Sequence, residues 1–141
     1  MAPVAGLRFG HVAFRARDLE ASVRWYADAF GMTECFRATR DDGTTQLVYL
    51  EMPDAPGHMV ELFPDGKNPI EQPTDPIGYA HWCVLVDDVA ATLAHLATLG
   101  VTPAAPTRTG RAGQKLAVVA DPDGNRIELM EIPPDSPTHR P

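Results

Sequence analysis

Cysteine is scarce in this chain. The two present, Cys35 and Cys83, form neither a CxxC pair nor a zinc-finger spacing, so a disulfide framework and a cysteine-based structural zinc site are not expected. Long apolar runs are missing too: none approaches the roughly 20 residues needed to cross a bilayer. The start, Met1-Ala2-Pro3-Val4-Ala5-Gly6, has no basic residues and no long apolar stretch, which are the marks of a secretion signal. Clusters of lysine and arginine are lacking, and the formal net charge is -7. Such a surface repels phosphate, so neither nucleic acid nor an anionic membrane is an expected partner. The expectation is a cytoplasmic protein that acts on a small molecule. Its 141 residues, 44% of them hydrophobic, suit a single domain with a core that needs no staples.

What the chain does have is an internal repeat, the feature to seek before others. Gly10-His11-Val12-Ala13-Phe14-Arg15-Ala16-Arg17-Asp18 is echoed by Ala80-His81-Trp82-Cys83-Val84-Leu85-Val86-Asp87-Asp88, with His81 lying 70 residues beyond His11. Asp54-Ala55-Pro56-Gly57-His58-Met59-Val60-Glu61-Leu62-Phe63 is echoed by Asp121-Pro122-Asp123-Gly124-Asn125-Arg126-Ile127-Glu128-Leu129-Met130, where Glu128 lies 67 residues beyond Glu61. Each copy reads as a strand, a helix and three strands. Asp18 and Asp88 are suited to cap a helix start. Apolar residues follow at helical spacing: Leu19, Val23, Tyr26, Ala27 and Phe30 in the first copy, Val89, Leu93, Leu96 and Ala97 in the second. Gly31 and Gly100 stop the two helices. Asp41-Asp42-Gly43 is a hairpin turn between strands near 33–40 and 44–52, and residues 54–57 and 121–124 turn the chain into the last strand of each copy. The first module spans about 7–63, a proline-rich linker 64–77, and the second module about 78–132. The tail from Pro133 reads as loose.

Strand parity sorts the side chains. Successive residues of a strand point to opposite faces, so Val12 and Phe14, Val60 and Leu62, Val84 and Val86, and Ile127 and Leu129 form apolar faces for the helices. The other faces carry His11, Glu61, His81 and Glu128, together with Met59, Phe63, Tyr79, Cys83, Leu85 and Met130. A carboxylate among apolar neighbours is costly unless it is paired or bound to metal. One histidine on a strand is most often structural. Two His–Glu pairs at matched positions of two similar modules are hard to reach by chance, and two imidazoles with two carboxylates suit a divalent transition metal. Two coordination positions would stay open for substrate oxygens. Arg126 shares a face with Glu128, where it would orient that carboxylate, bind an anionic substrate or form a simple salt bridge.

At these residues the chain resembles the vicinal oxygen chelate superfamily, which includes glyoxalase I, epimerases, extradiol dioxygenases and antibiotic-resistance proteins. The resemblance spans roughly residues 7–132 and is carried by Gly10-His11-Val12, Asp121-Pro122-Asp123-Gly124-Asn125 and Ile127-Glu128-Leu129. It implies an α+β fold of two βαβββ modules whose sheets curl around a shared metal cleft. Among members, the pattern is most similar to bacterial glyoxalase I. That likeness implies His11, Glu61, His81 and Glu128 as ligands of nickel, cobalt, zinc or manganese. It implies Arg15 near a substrate carboxylate, and it puts Asp65 where that enzyme has an asparagine that contacts glutathione.

The chemistry so implied is a lyase or isomerase reaction. A proton moves between adjacent carbons through an enediolate, with Glu128 as the base and Glu61 able to serve on the other side. An epimerase acting beside a carbonyl of a cyclitol, sugar or acyl-CoA would use the same ligands. A ring dioxygenase needs two histidines and one carboxylate on iron, which Glu61 would crowd. An antibiotic-binding protein would lack the full ligand set. The short linker favours a homodimer in which each site draws one His–Glu pair from each chain.

Overall fold

A computed structural model describes residues 4–70 and 77–141; residues 71–76 of the proline-rich linker lie outside the described residues. The chain divides into two compact units that meet in sequence at Lys67 and Asn68. In the first unit the order is β1 (His11–Arg15), α1 (Leu19–Phe30), β2 (Thr33–Thr39), β3 (Thr45–Met52) and β4 (Ala55–Phe63). In the second it is β5 (Trp82–Leu85), α2 (Val89–Thr98), β6 (Arg108–Thr109), β7 (Lys115–Ala120) and β8 (Arg126–Glu131). Each unit is a βαβββ module with one four-stranded sheet, ordered β1-β4-β3-β2 and β5-β8-β7-β6. The first strand pairs with the last in parallel in both modules. Parallel neighbours need a crossover, and the helix with the following strands supplies it.

Both helices begin and end as the sequence demands. Asp18 accepts the backbone N–H of Ala21 at 3.0 Å, and Asp88 that of Ala91 at 2.9 Å. Gly31 and Gly100 take left-handed φ values of 67° and 78°, which glycine adopts without a Cβ clash. At the second helix the Val101 N–H then closes back on the Leu96 carbonyl at 3.0 Å. The start of α2 has a further anchor: Glu131 accepts the Val89 N–H at 3.0 Å and pairs with Lys115 at 3.1 Å. Those contacts, the Val89 N–H foremost, hold the Glu131 carboxyl below its ordinary pKa.

The parity reading of the helix-facing sides holds. Phe14, Val60, Leu62, Val84, Ile127 and Leu129 are buried, and Val12 and Val86 are partly so. In the first unit the Phe14 ring stacks on Tyr26 of α1, centroids 6.5 Å apart and planes within 4°. In the second, α2 lies against β7 and β8 and sends the fully buried Leu96 into the core.

Three local expectations are revised. The turn into β4 is Pro53–Asp54, and residues 55–57 already belong to the strand. Pro56 is tolerated there because β1 begins its pairing only at Met59, so the proline's missing N–H faces no partner on that side. The tail is docked. Ser136 is buried and shares a hydrogen bond with Thr138 at 2.9 Å, while Thr138 accepts from the buried Gln114 amide at 3.1 Å. Polar side chains hold this proline-rich segment, so its composition alone suggested looseness. Finally, the face opposite α2 is only partly covered: Met130 is half-buried, while Tyr79, Cys83 and Leu85 are exposed, as suits β5 at the sheet edge.

Candidate metal centre

The two modules place their His–Glu pairs by the same register. Ala13 of β1 stands opposite Glu61 of β4, and Cys83 of β5 stands opposite Glu128 of β8. The histidine lies two residues before Ala13 in one module and two before Cys83 in the other, hence on the same face as the glutamate. The offsets of 70 and 67 residues in the sequence therefore become one geometric relation, built twice.

In the first unit, His11 Nε2 lies 2.8 Å from Glu61 Oε2. The carboxylate is 7% exposed and the imidazole half-exposed. The Tyr49 hydroxyl donates to the same Oε2 at 2.7 Å, since Tyr49 of β3 stands directly opposite Glu61. That hydrogen bond is the main reason the Tyr49 pKa is raised, so the phenol keeps its proton and acts as donor. The edge of the His11 ring also meets Tyr49, at 5.4 Å and 82°.

In the second unit, His81 Nε2 lies 3.5 Å from Glu128 Oε1, and the carboxylate is 6% exposed. Val118, not a hydrogen-bond donor, stands opposite Glu128. An exposed Arg108 approaches the other oxygen, Oε2, at 3.9 Å, a distance that leaves its guanidinium solvated. Desolvation, and secondarily Glu128, push the Cys83 thiol up to about 11. It is a neutral thiol at ordinary pH and no nucleophile.

Each pair, taken by itself, has the spacing of two donors on one ion. With metal–nitrogen and metal–oxygen bonds of about 2.0–2.2 Å, two donors on one ion sit about 2.9 Å apart at a right angle and about 3.4 Å apart at a tetrahedral angle. The observed 2.8 and 3.5 Å match these separations. Within each unit, among the described residues, the grouping stops at two: no third His, Cys, Asp or Glu joins either pair.

The expected substrate-binding residues have separate surroundings. Arg15 is exposed, its guanidinium 5.6 Å over the Phe63 ring and 3.5 Å from the Pro64 carbonyl. Asp65 is exposed, takes a left-handed φ of 69°, and faces Arg40 at 3.5 Å. Arg126 is exposed on β8, opposite Ala120 of β7. Gln114 turns to the tail and Lys115 to Glu131. Tyr49 and Arg108 escape a reading of the sequence. Tyr49 is not reached by counting back from Glu61 across the Pro53–Asp54 turn, because the β3–β4 register shifts between Glu51 and Met52. Arg108 sits on a strand of two residues, too short for a periodic signal.

The profile of the Glyoxalase/Bleomycin resistance protein/Dioxygenase superfamily matches residues 8–129. Among curated proteins, the chain is 26% identical to a lactoylglutathione lyase of Pseudomonas aeruginosa, over 87% of this chain and 81% of that one. It is 29% identical to the lactoylglutathione lyase of Haemophilus influenzae, over 86% and 90%. Among solved structures, a glyoxalase family protein from Enterococcus faecalis superposes with a TM-score of 0.72 at 24% identity, over 88% of this chain and 97% of that one; at that identity the likeness concerns the fold. With paired βαβββ modules and the same His–Glu register in each, the chain belongs to the Glyoxalase/Bleomycin resistance protein/Dioxygenase superfamily.

Proposed function

We propose that this chain is a metal-dependent lyase or isomerase of the glyoxalase I type. The observation that carries the reading is the doubled His–Glu pair in one register, His11 with Glu61 and His81 with Glu128. The lactoylglutathione lyase names of relatives at 26% and 29% identity support the choice of reaction. The four side chains would hold one divalent ion, nickel, cobalt, zinc or manganese. When bound, that ion supplies a Lewis acid for the negative charge that grows on two adjacent substrate oxygens.

The remaining work falls to the protein. Glu128, with no short hydrogen bond on either oxygen among the described residues, takes the proton from one substrate carbon and returns it to the next, so the substrate passes through an enediolate. Arg15 offers its guanidinium to a substrate carboxylate, the bidentate partner it suits. Asp65 would repel such a carboxylate, but Arg40 beside it offsets that charge. In the glyoxalase version the substrate is the hemithioacetal of a 2-oxoaldehyde and glutathione, and the product is a 2-hydroxy thioester. The protein would act as a homodimer.

The test is direct. Purified protein loaded with Ni²⁺, Co²⁺ or Zn²⁺ is given methylglyoxal and glutathione, and thioester absorbance is followed. Metal-dependent turnover is expected, abolished by a chelator and restored by the ion. Absence of turnover, with solvent deuterium entering a cyclitol ketone or an acyl-CoA, would replace this reading by the epimerase.

A further inference from the structure

The two carboxylates are held differently, although the repeat makes their positions equivalent. Glu61 Oε2 is engaged by His11 at 2.8 Å and by the Tyr49 hydroxyl at 2.7 Å. Glu128 meets His81 only at 3.5 Å and Arg108 at 3.9 Å, on different oxygens. The difference traces to one register position. The residue facing the glutamate from the antiparallel strand is Tyr49 in the first module and Val118 in the second. A carboxylate has about four lone-pair sites, so a hydroxyl on one leaves others for an ion. A side chain bound through a fixed donor also loses the rotational freedom it would need to leave the ion and carry a proton.

We infer that Tyr49 is a positioning residue that locks Glu61 as a standing ligand, and that its replacement by Val118 in the second module frees Glu128 to move the proton. This rests on the metal-dependent reading above and assigns the two glutamates within it. Tyr49 acts through Glu61 and touches no substrate. Partners that orient a ligand in this way raise metal affinity by about 10–100-fold.

The Tyr49→Phe substitution isolates the hydroxyl, because phenylalanine keeps the ring that edges His11 and tilts against Phe36. Ni²⁺ affinity is measured by competition with a chelating dye for the wild type, Tyr49→Phe, Glu61→Ala and the double variant, with thermal unfolding of the metal-free proteins as a check of folding. Tyr49→Phe should bind Ni²⁺ about 10–100-fold more weakly with an unchanged unfolding midpoint. The double variant should bind no more weakly than Glu61→Ala alone, since the hydroxyl then has nothing to hold. Wild-type affinity in Tyr49→Phe overturns the inference and leaves the metal reading standing. So does a Tyr49→Phe loss that persists undiminished in the Glu61→Ala background. Wild-type protein that binds no Ni²⁺, Co²⁺ or Zn²⁺ ends both together.

Discussion

Glu128→Gln should lower turnover by about 10²–10⁴-fold, the usual contribution of a positioned general base, while the protein still folds and still takes up metal through its other ligands. The reason is chemical. Glutamine keeps the shape of the side chain and one oxygen that can ligate, but its amide has no basic site for a carbon-bound proton. The environment argues for the same residue. Glu128 is 6% exposed, so bulk water does not compete for its role, and it lacks the close hydroxyl that Glu61 receives from Tyr49. The measurement is kcat and kcat/KM for the methylglyoxal–glutathione adduct alongside bound metal per chain. Loss in both constants with metal retained is the expected pattern, because the missing interaction belongs to the transition state. Full activity in Glu128→Gln would move the base to Glu61 or elsewhere.

The second large effect concerns stability. Leu129→Ala should destabilise the protein by about 2–5 kcal/mol, the range for leucine truncation in a close-packed core. Leu129 is fully buried. It is a central-strand residue paired on one side with Val84 and on the other with Ala117. Its neighbour in sequence is Glu128, on the opposite face of the strand, so the cavity would lie directly behind the Glu128 carboxylate. Urea unfolding of the metal-free protein reads the loss, and added metal should recover part of it, since an ion that binds only the folded state stabilises that state. A change below about 0.5 kcal/mol, the level of ordinary surface substitutions, would mean that β8 does not carry the core of its module.

Much of this was open to a reader of the sequence, for identifiable reasons. Asp18 and Asp88 marked the helix starts because a short carboxylate satisfies backbone donors that nothing else reaches. Gly31 and Gly100 marked the ends by their left-handed backbone. The Asp121 turn was legible because its carboxylate accepts the backbone N–H groups of Asp123 and Asn125 and the Asn125 amide. That fixes the motif locally. The His–Glu pairing was legible through duplication, and the shared register turned the two offsets into two like sites. What could not be read depended on distant register. The β2–β3 pairing shifts between Glu34 and Phe36 and again between Ala38 and Thr39, and β3–β4 shifts between Glu51 and Met52. Parity counted along the sequence therefore loses its phase before it reaches Tyr49. The docking of the tail was hidden for a similar reason: Gln114 and Thr138 are 24 residues apart and meet through side chains.

The central claim is that two like pairs serve one ion, and the bound metal per chain tests it most directly. Elemental analysis of the wild type, His11→Ala and His81→Ala, each purified after loading with Ni²⁺ and desalting, should give one ion per pair of modules in the wild type. Either single substitution should remove most of it. Two ions per chain in the wild type, or a His11→Ala variant that retains its metal through His81 and Glu128 alone, would contradict a shared centre.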